Sequence, residues 1–360
     1  MKKKTARTTK VHRFGRAGFP IRAAAHAQRT DIEEVEIRAG VTEIEEGAFA
    51  ECTGLRKIRI PGSVATIGEA AFWGCTALES VEISDGVEMI LWGAFRGCTA
   101  LESIAIPVSV KAIWTSAFDG CIRLRKIGYS GPSCRFDGGA MLSADGTELL
   151  RWMGWLPEFA KAAKVPDSVT VVVQGAFHDL EQLESVRLPA SVREIRWRAF
   201  NGCTSLESIV LPEGLAALGK DVFEGCTALK TVVLPSGITE IPDGTFEECR
   251  SLASLAIPDG VVKIGIGAFM WCTALKSVTI PGSVTEIEVC AFAGCTALKT
   301  VVLPESVEKI GEDAFSRCWN LETAMVPKGL SPRSILDAFK DCPKLKKILR
   351  HPTHPHGLQP

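Results

Sequence analysis

Cysteine is the residue type with the greatest potential for chemistry in this sequence, because thiols bind metals, form disulfides and act as nucleophiles. There are thirteen cysteines, and eleven of them form two series, of four and seven residues, with a spacing of 23 residues, or 24 at the last step. No Cys-x-x-Cys pair occurs, so structural zinc is not favoured. Cysteine is also among the most buried residue types, so a column of inert core thiols is the simpler interpretation. This column consists of Cys52, Cys75, Cys98, Cys121, Cys203, Cys226, Cys249, Cys272, Cys295, Cys318 and Cys342.

Few other residues suggest catalysis or metal binding. Cys134 and Cys290 lie outside the column, and these are the thiols that we expect to be open to modification. His178 is the only histidine within the repeats, whereas a nucleophilic site needs a nucleophile, a base and an orienting group together. No Gly-x-Ser-x-Gly motif is present. We therefore expect a protein that is not an enzyme, with no catalytic residue, no cofactor and no metal site.

Phenylalanine follows the same period, three residues before each cysteine. Twelve units share the register, and Leu180 replaces the cysteine in one of them. Self-similarity at a period of 20–50 residues is the signature of a repeat fold. The phenylalanines are Phe49, Phe72, Phe95, Phe118, Phe177, Phe200, Phe223, Phe246, Phe269, Phe292, Phe315 and Phe339.

Each unit combines a strand pattern with a return arm. Val81 and Ile83 alternate with polar residues, so they are expected to face inward from a strand. In most units a proline follows and ends the strand, because it cannot donate to a ladder. A Val-x-x-Ile arm such as Val110 to Ile113 then returns on the opposite side. Such a coil buries its apolar edge only by stacking on its neighbours, which predicts a solenoid.

These units resemble the leucine-rich repeats of the BspA-like, or Treponema pallidum, class, through Ala-Phe-x-x-Cys, Leu-x-x-Ile-x-Ile-Pro and Val-x-x-Ile in 23 residues. The resemblance covers about residues 31–349. It implies a right-handed coil with parallel β-strands on one face, short strands and turns on the other, and often a hairpin module that interrupts the repeats. It also implies association with cell surfaces, adhesion and binding of host matrix proteins. The general asparagine position of leucine-rich repeats holds Ser63, Ser109, Ser191 or Gly214 here, so no asparagine ladder is expected.

The sequence predicts three regions. Residues 1–30 contain nine basic residues and no acid, which indicates a flexible leader, an Arg-rich targeting segment or a polyanion-binding arm. Residues 31–349 form a single solenoid of about 12 repeats, interrupted near 129–164 by an insert. There, Asp145 and Gly146 between apolar runs predict a β-hairpin. Residues 350–360 are a flexible Pro- and His-rich tail, in which metal binding is the less favoured interpretation of His351, His354 and His356.

Charge and hydropathy limit the classes of partner. The formal net charge is −1, but the basic leader leaves the repeat region acidic, which argues against a nucleic-acid groove along the solenoid. No run of 18 apolar residues occurs, so no membrane span is expected. The N-terminal segment also lacks the apolar core of a signal peptide.

The outward strand positions are the first candidate for partner binding. From Val210 onward, the middle outward residue of each strand is uncharged and mostly apolar. Contiguous apolar surface of this kind often marks a contact site. The alternative is that β-branched residues occur there for strand propensity alone. The candidates are Val210, Val233, Val302 and Met325.

Tryptophans around the corner motif are the second candidate. They occupy positions that other repeats fill with Glu, Asp, Lys or Ala, so they are expected to be partly exposed. Tryptophan is over-represented in binding hot spots, although local packing over the corner would also explain it. The candidates are Trp92, Trp114, Trp197 and Trp271.

The sequence therefore favours a non-enzymatic protein–protein interaction module whose protein partner is not identified. The resemblance implies a surface-associated, adhesin-like role on the cell surface or outside it. The alternative is an intracellular scaffold or regulator with the same fold, which the cysteine usage favours because so many thiols suit a reducing compartment.

Overall fold

The structure is a computed structural model, and it divides the chain into two compact units, Met1–Ala160 and Lys161–Pro360. Both units are repeat solenoids, as the sequence predicts. No helix in the described part of the chain is long and apolar enough to cross a bilayer. The described residues are 10–114, 116–129, 131–132, 134–154 and 159–351.

Unit 1 is built from two parallel sheets whose strands come alternately along the chain. Partner residues in adjacent strands are 23 positions apart, so that Lys57 lies beside Ser80 and Ile58 beside Val81. Ile58 and Ile60 are buried while Lys57 and Arg59 face outward, as the period of two requires. One sheet contains β1 (Val11–Phe14), β2 (Glu34–Ile37), β4 (Lys57–Ile60), β6 (Ser80–Ile83), β8 (Ser103–Ala105) and β10 (Lys126–Gly128). The other contains β3 (Glu43–Ile44), β5 (Thr66–Ile67), β7 (Met89–Ile90) and β9 (Ala112–Ile113).

The insert of unit 1 is antiparallel, which confirms the predicted hairpin. It contains β11 (Cys134–Asp137), β12 (Ala140–Ser143) and β13 (Glu148–Trp152), and β12 pairs with both neighbours. The Asp145 carboxylate accepts hydrogen bonds from the Ser143 hydroxyl and from the Thr147 backbone N–H, at 2.6 and 2.9 Å. These bonds to the charged form hold the pKa of Asp145 at about 2 and fix the turn.

Unit 2 repeats the same two-sided plan with a short helix, α1 (Pro332–Ala338), near its end. The strands of one side are β14 (Ala162–Lys164), β16 (Ser185–Arg187), β18 (Ser208–Val210), β20 (Thr231–Val233), β22 (Ser254–Ala256), β24 (Ser277–Thr279), β26 (Thr300–Val302), β28 (Thr323–Val326) and β29 (Lys347–Arg350). Those of the other side are β15 (Val171–Val172), β17 (Glu194–Ile195), β19 (Ala217–Leu218), β21 (Glu240–Ile241), β23 (Lys263–Ile264), β25 (Glu286–Ile287) and β27 (Lys309–Ile310).

The repeat phenylalanines form a buried ladder inside each unit. Neighbouring rings are stacked, with centroids 5.3–5.8 Å apart in unit 1. The same distances are 4.6–5.6 Å in unit 2. Each ring therefore contributes both burial and aromatic stacking to the coils beside it.

The cysteine column has a specific structural role. Each thiol donates a hydrogen bond to a backbone carbonyl of the preceding coil, as Cys75 does to Phe49 at 3.1 Å and Cys272 to Phe246 at 3.1 Å. All thirteen cysteines are free, and burial raises the pKa of Cys249 because the thiolate would lose its hydration. The Cys249 thiol is therefore held in its protonated, donating form.

The solenoid begins earlier than the sequence predicted, so the expected flexible leader of residues 1–30 is wrong for residues 11–28. Val11–Phe14 is a strand that pairs in parallel with β2. His26 takes the place of the repeat phenylalanine, 23 residues before Phe49, and its carbonyl accepts the Cys52 thiol at 3.0 Å. The sequence pattern did not reveal this coil, because histidine takes the place of the repeat phenylalanine. The first nine residues lie outside the described part of the chain.

We predict that acid loosens this first coil. The His26 ring lies 4.0 Å from the Phe14 centroid and 5.1 Å from the Phe49 centroid. Burial, followed by the nearby Arg29 charge, lowers the pKa of His26. The unfolded coil therefore binds the proton more readily, so its stability is complete above about pH 6.5 and falls as the pH drops through the lowered pKa. Hydrogen exchange of residues 11–28 should speed up relative to the rest of unit 1 between pH 7.5 and 5.5. A His26→Phe variant should lose this pH response, and an unchanged response there would contradict the assignment.

The last coil is closed by a charged side chain. Arg350 ends β29, and one of its guanidinium nitrogens donates to the carbonyls of Pro327, Lys328 and Leu330 at 2.6, 2.8 and 2.9 Å. The predicted tail of residues 350–360 therefore starts later, since Arg350 belongs to the solenoid. Residues 352–360, including His354 and His356, lie outside the described part of the chain.

We predict that Arg350→Gln frays this coil. Three carbonyls would lose a charged donor, which should lower the local opening free energy by about 1–2 kcal/mol at this exposed site. Amide exchange of Lys347–Arg350 measures the effect. Lys347→Gln is a suitable control on the same strand, and an equal change in both variants would show that the carbonyl contacts do not stabilise the coil.

Candidate functional site

The outward column of unit 2 lies on the surface, as expected. Val210, Val233 and Val302 are 63%, 51% and 53% exposed, and Ala256 and Thr279 between them are also exposed. Strand pairing sets Val210 beside Val233, Ala256 beside Thr279 and Val302 beside Met325. Met325 is half-buried, because Leu349 of β29 lies directly beside it. The column is uncharged from β18 to the end of the unit.

Lysines flank one edge of this column. Lys230 is neutralised by Glu207, with 2.9 Å between the amine and the carboxylate. Lys276 and Lys299 are exposed and have no ion-pair partner among the described residues. The surface thus combines uncharged strand positions with two unneutralised positive charges at one side.

The four candidate tryptophans fall into two groups. Trp92 and Trp114 are exposed, at 43% and 55%. The Trp197 indole N–H donates to an Asp221 carboxylate oxygen at 3.0 Å, and the Arg198 guanidinium lies 4.8 Å from its ring centroid. Trp271 is half-buried and its ring lies directly against Gly294 of the next coil. These contacts favour local packing for Trp197 and Trp271, while partner contact stays a prediction for all four.

Sequence reasoning did not identify a cleft beside Trp92. Trp73 comes directly after one repeat phenylalanine and Trp92 three residues before the next, and the structure brings their side chains together. They enclose a volume of about 330 Å³. Its other lining residues are Ala70, Gly93 and Arg96. The repeat register places these two positions on adjacent coils, so the sequence could have predicted that the two tryptophans lie close together.

Residues Gly214 to Lys220 have the Gly-x-x-x-x-Gly-Lys spacing of a phosphate-binding loop, which sequence reasoning also missed. The structure does not give them that role. They contain strand β19, and Asp221 stands where Ser or Thr would bind magnesium. No helix follows to direct its N-terminus at a phosphate, and Lys220 is 2.7 Å from the Asp243 carboxylate.

The off-column thiols differ from expectation in one case. Cys134 is buried, with 2% exposure, so the prediction that it is open to modification is wrong. Cys290 is half-buried, and burial followed by the Asp313 charge raises its pKa. The His178 imidazole Nε2 lies 3.2 Å from an Asp179 carboxylate oxygen, and no nucleophile contacts this ring among the described residues. Among the described residues, no group of three or more His, Cys, Asp or Glu side chains is placed to hold a metal ion.

Comparison with known families and structures gives a consistent result. The family model described as "BspA type Leucine rich repeat region (6 copies)" matches residues 20–136, 159–276 and 262–354. None of the curated proteins matches this chain.

The fold is similar to those of solved bacterial leucine-rich repeat proteins. One from Bacteroides ovatus is 29% identical, with a TM-score of 0.65 over 97% of this chain and 94% of that one. One from Eubacterium ventriosum is 24% identical, with a TM-score of 0.68 over 84% of this chain and 86% of that one. The pneumococcal vaccine antigen PcpA is 19% identical, with a TM-score of 0.53 over 89% of this chain and 77% of that one, which supports the fold alone.

Proposed function

This chain belongs to the BspA-type leucine-rich repeat family, and from this premise we propose that it binds a protein partner through the strand face of unit 2 and catalyses no reaction. The observation that carries the proposal is the exposed uncharged column from Val210 to Val302. Apolar side chains on rigid, paired strands lose little conformational entropy when a partner covers them.

Strand propensity does not fully account for this column. Val210, Val233 and Val302 would satisfy it, but Ala256 occupies the same column and alanine is a poor strand former. The absence of charge continues along this column even where strand propensity is low. Contact with a protein partner explains this better than strand propensity does. Lys276 and Lys299 at its edge would orient a partner that has acidic groups beside an apolar segment.

The cellular location divides this proposal into two versions. The family resemblance supports a surface-associated, adhesin-like role. An intracellular scaffold or regulator is the alternative, and the buried thiol donors favour it because a reducing compartment preserves them. Fractionation of the native host with a tagged full-length chain separates the versions, since recovery only in the cytosol would remove the adhesin role.

The binding face can be tested with matched variants of the full chain. Val210→Ser, Val233→Ser and Val302→Ser together should abolish capture of a partner that the unchanged protein retains. The control combines Val262→Ser, Ile266→Ser and Val289→Ser, which are exposed apolar residues of the same unit outside the column. Both triple variants should keep the melting temperature. Equal capture by the two variants would contradict binding through the strand face.

A further inference from the structure

The cleft between Trp73 and Trp92 in unit 1 has the composition of a small-ligand site. Two indoles, 44% and 43% exposed, form its walls. Ala70 and Gly93, which have small side chains or none, also line it. Both residues have left-handed backbone, with φ of 50° and 61°, because they belong to the tight corners of adjacent coils. A volume near 330 Å³ is at the small end of the range for ligand pockets.

The polar side-chain groups that line this cleft are all donors. Each indole has an N–H with no hydrogen-bond partner among the described residues, and the Arg96 guanidinium lies 5.7 Å from the Trp92 ring centroid. Arg96 is exposed and has no carboxylate partner in the described part of the chain. No acidic side chain lines the cleft. Stacking on the ring reduces the rotamer freedom of the guanidinium, so that less entropy is lost when it pairs with an anion.

Trp197 occupies the same repeat position as Trp92, but its indole N–H has a hydrogen-bond partner within the protein. It lies three residues before Phe200, as Trp92 lies before Phe95, and an arginine stacks on it too, although that arginine, Arg198, comes from a different repeat position than Arg96. There, however, Asp221 accepts the indole N–H at 3.0 Å and also lies 3.4 Å from Arg198. The Trp92 site lacks such a carboxylate. A ligand that supplied one would complete the arrangement already present at Trp197.

We propose that this cleft binds a small aromatic carboxylate, with the ring between the two indoles and the acid group on Arg96 and an indole N–H. An apolar planar ring matches the tryptophan faces, and a carboxylate accepts the planar donors of a guanidinium. The proposal goes beyond partner binding by the strand face, because the cleft belongs to the other unit and takes a free small molecule.

Three probes that share one ring system and differ in the charge of its substituent test the inference on the full chain. 2-Naphthoate, 2-naphthylmethanol and 2-naphthylmethylamine have the same ring system with an anionic, neutral and cationic group. Isothermal titration should show that naphthoate binds at least about tenfold more tightly than the neutral alcohol, since a charge-assisted hydrogen bond is worth more than a neutral one. The amine should bind most weakly. Equal affinity for all three, or no binding of naphthoate at millimolar concentration, would overturn the proposal.

Matched variants locate the site. Arg96→Gln should weaken naphthoate binding about tenfold and leave the alcohol unchanged, because only the ion pair is lost. Trp92→Ala should weaken both ligands. Arg198→Gln and Trp197→Ala, which remove the stacked arginine–tryptophan pair of unit 2, should leave both affinities unchanged. Trp92 and Arg96 are exposed, so their variants should keep the melting curve of the unchanged protein. Arg198→Gln and Trp197→Ala remove contacts to Asp221, so their affinities are measured below the melting temperature of each variant. If Arg198→Gln weakened naphthoate binding as much as Arg96→Gln does, binding would be nonspecific and the cleft would not be the site.

A further control separates this inference from partner binding by the strand face. The variant with Val210→Ser, Val233→Ser and Val302→Ser should still bind naphthoate, because none of these residues lines the cleft.

Discussion

Phe269→Ala should lower the free energy of unfolding by about 3–5 kcal/mol, as large-to-small changes of buried aromatic residues do. The side chain is fully buried, and its ring stacks on Phe246 and Phe292 with centroids 5.3 and 4.9 Å away. Its removal leaves a cavity and eliminates two stacking contacts in the middle of unit 2. Urea unfolding followed by far-UV circular dichroism measures the loss.

Phe339 provides the control, because it lies at the end of the same ladder. It has one described aromatic neighbour in the ladder, Phe315 at 5.1 Å, and retains 6% exposure. Phe339→Ala should therefore cost clearly less than Phe269→Ala. Since each coil of a solenoid is stabilised by its neighbours, similar losses in the two variants would mean that the ring ladder does not determine stability.

Gly86→Ala should strongly destabilise unit 1, because this glycine combines close contact with another coil and a left-handed backbone. A Cβ at this position would lie 2.1 Å from the carbonyl oxygen of Gly62, which belongs to the preceding coil. The backbone also has a φ of 114°, which side chains disfavour. Left-handed strain of about 1–2 kcal/mol and overpacking of about 1–3 kcal/mol together predict a loss of about 2–5 kcal/mol. Thermal and urea unfolding measure it.

Gly18→Ala separates the two causes. Gly18 also has a left-handed backbone, with φ of 80°, but an added Cβ would have no atom within 4 Å. Its replacement should show only the strain, about 1–2 kcal/mol. The difference between the variants measures how closely the coils at Gly62 and Gly86 approach. If the two losses were equal, close approach of the coils would not be the reason for glycine.

The repeating part of the fold was predictable from spacing alone. Phe72 and Cys75 and their counterparts have one environment in every coil, so one unit describes the others. The Asp145 turn was also predictable, because its chemistry is local. These features depend on residues close together in sequence or related by the constant period.

The two ends were not predictable by the same reasoning. His26 replaces phenylalanine in the first coil, and no cysteine accompanies it. Near the other end, α1 replaces the return strand, with Ser331 as its N-cap and Pro332 in its first turn. That capping pair was a readable helix signal, but the repeat register suggested a strand there. Both coils depart from the repeat residues, so the constant period does not describe them.

The candidate sites were only partly predictable. Outward exposure at Val210 and Val233 follows from the period of two, and the structure agrees. Whether a tryptophan is exposed or engaged depends on side chains about 24 residues away, as with Trp197 and Asp221. The Trp73 and Trp92 pair likewise arises from two different coils. Such combinations require the stacking geometry and not the pattern of one repeat.

The hydrogen bonds from the column thiols to backbone carbonyls also limit how the length of such a chain can change. Cys203, Cys226 and Cys249 each reach back 26 positions to a phenylalanine carbonyl. Deleting or duplicating a block of 23 residues would therefore leave every donor with an acceptor at the same separation. The last repeat is one residue longer, and there Cys342 reaches back 27 positions to the Phe315 carbonyl. Position 180 marks the exception, since the residue 26 before it is Gly154 of the insert and leucine replaces the thiol. Recombination between neighbouring copies in the gene would thus tend to yield shorter or longer proteins that still fold.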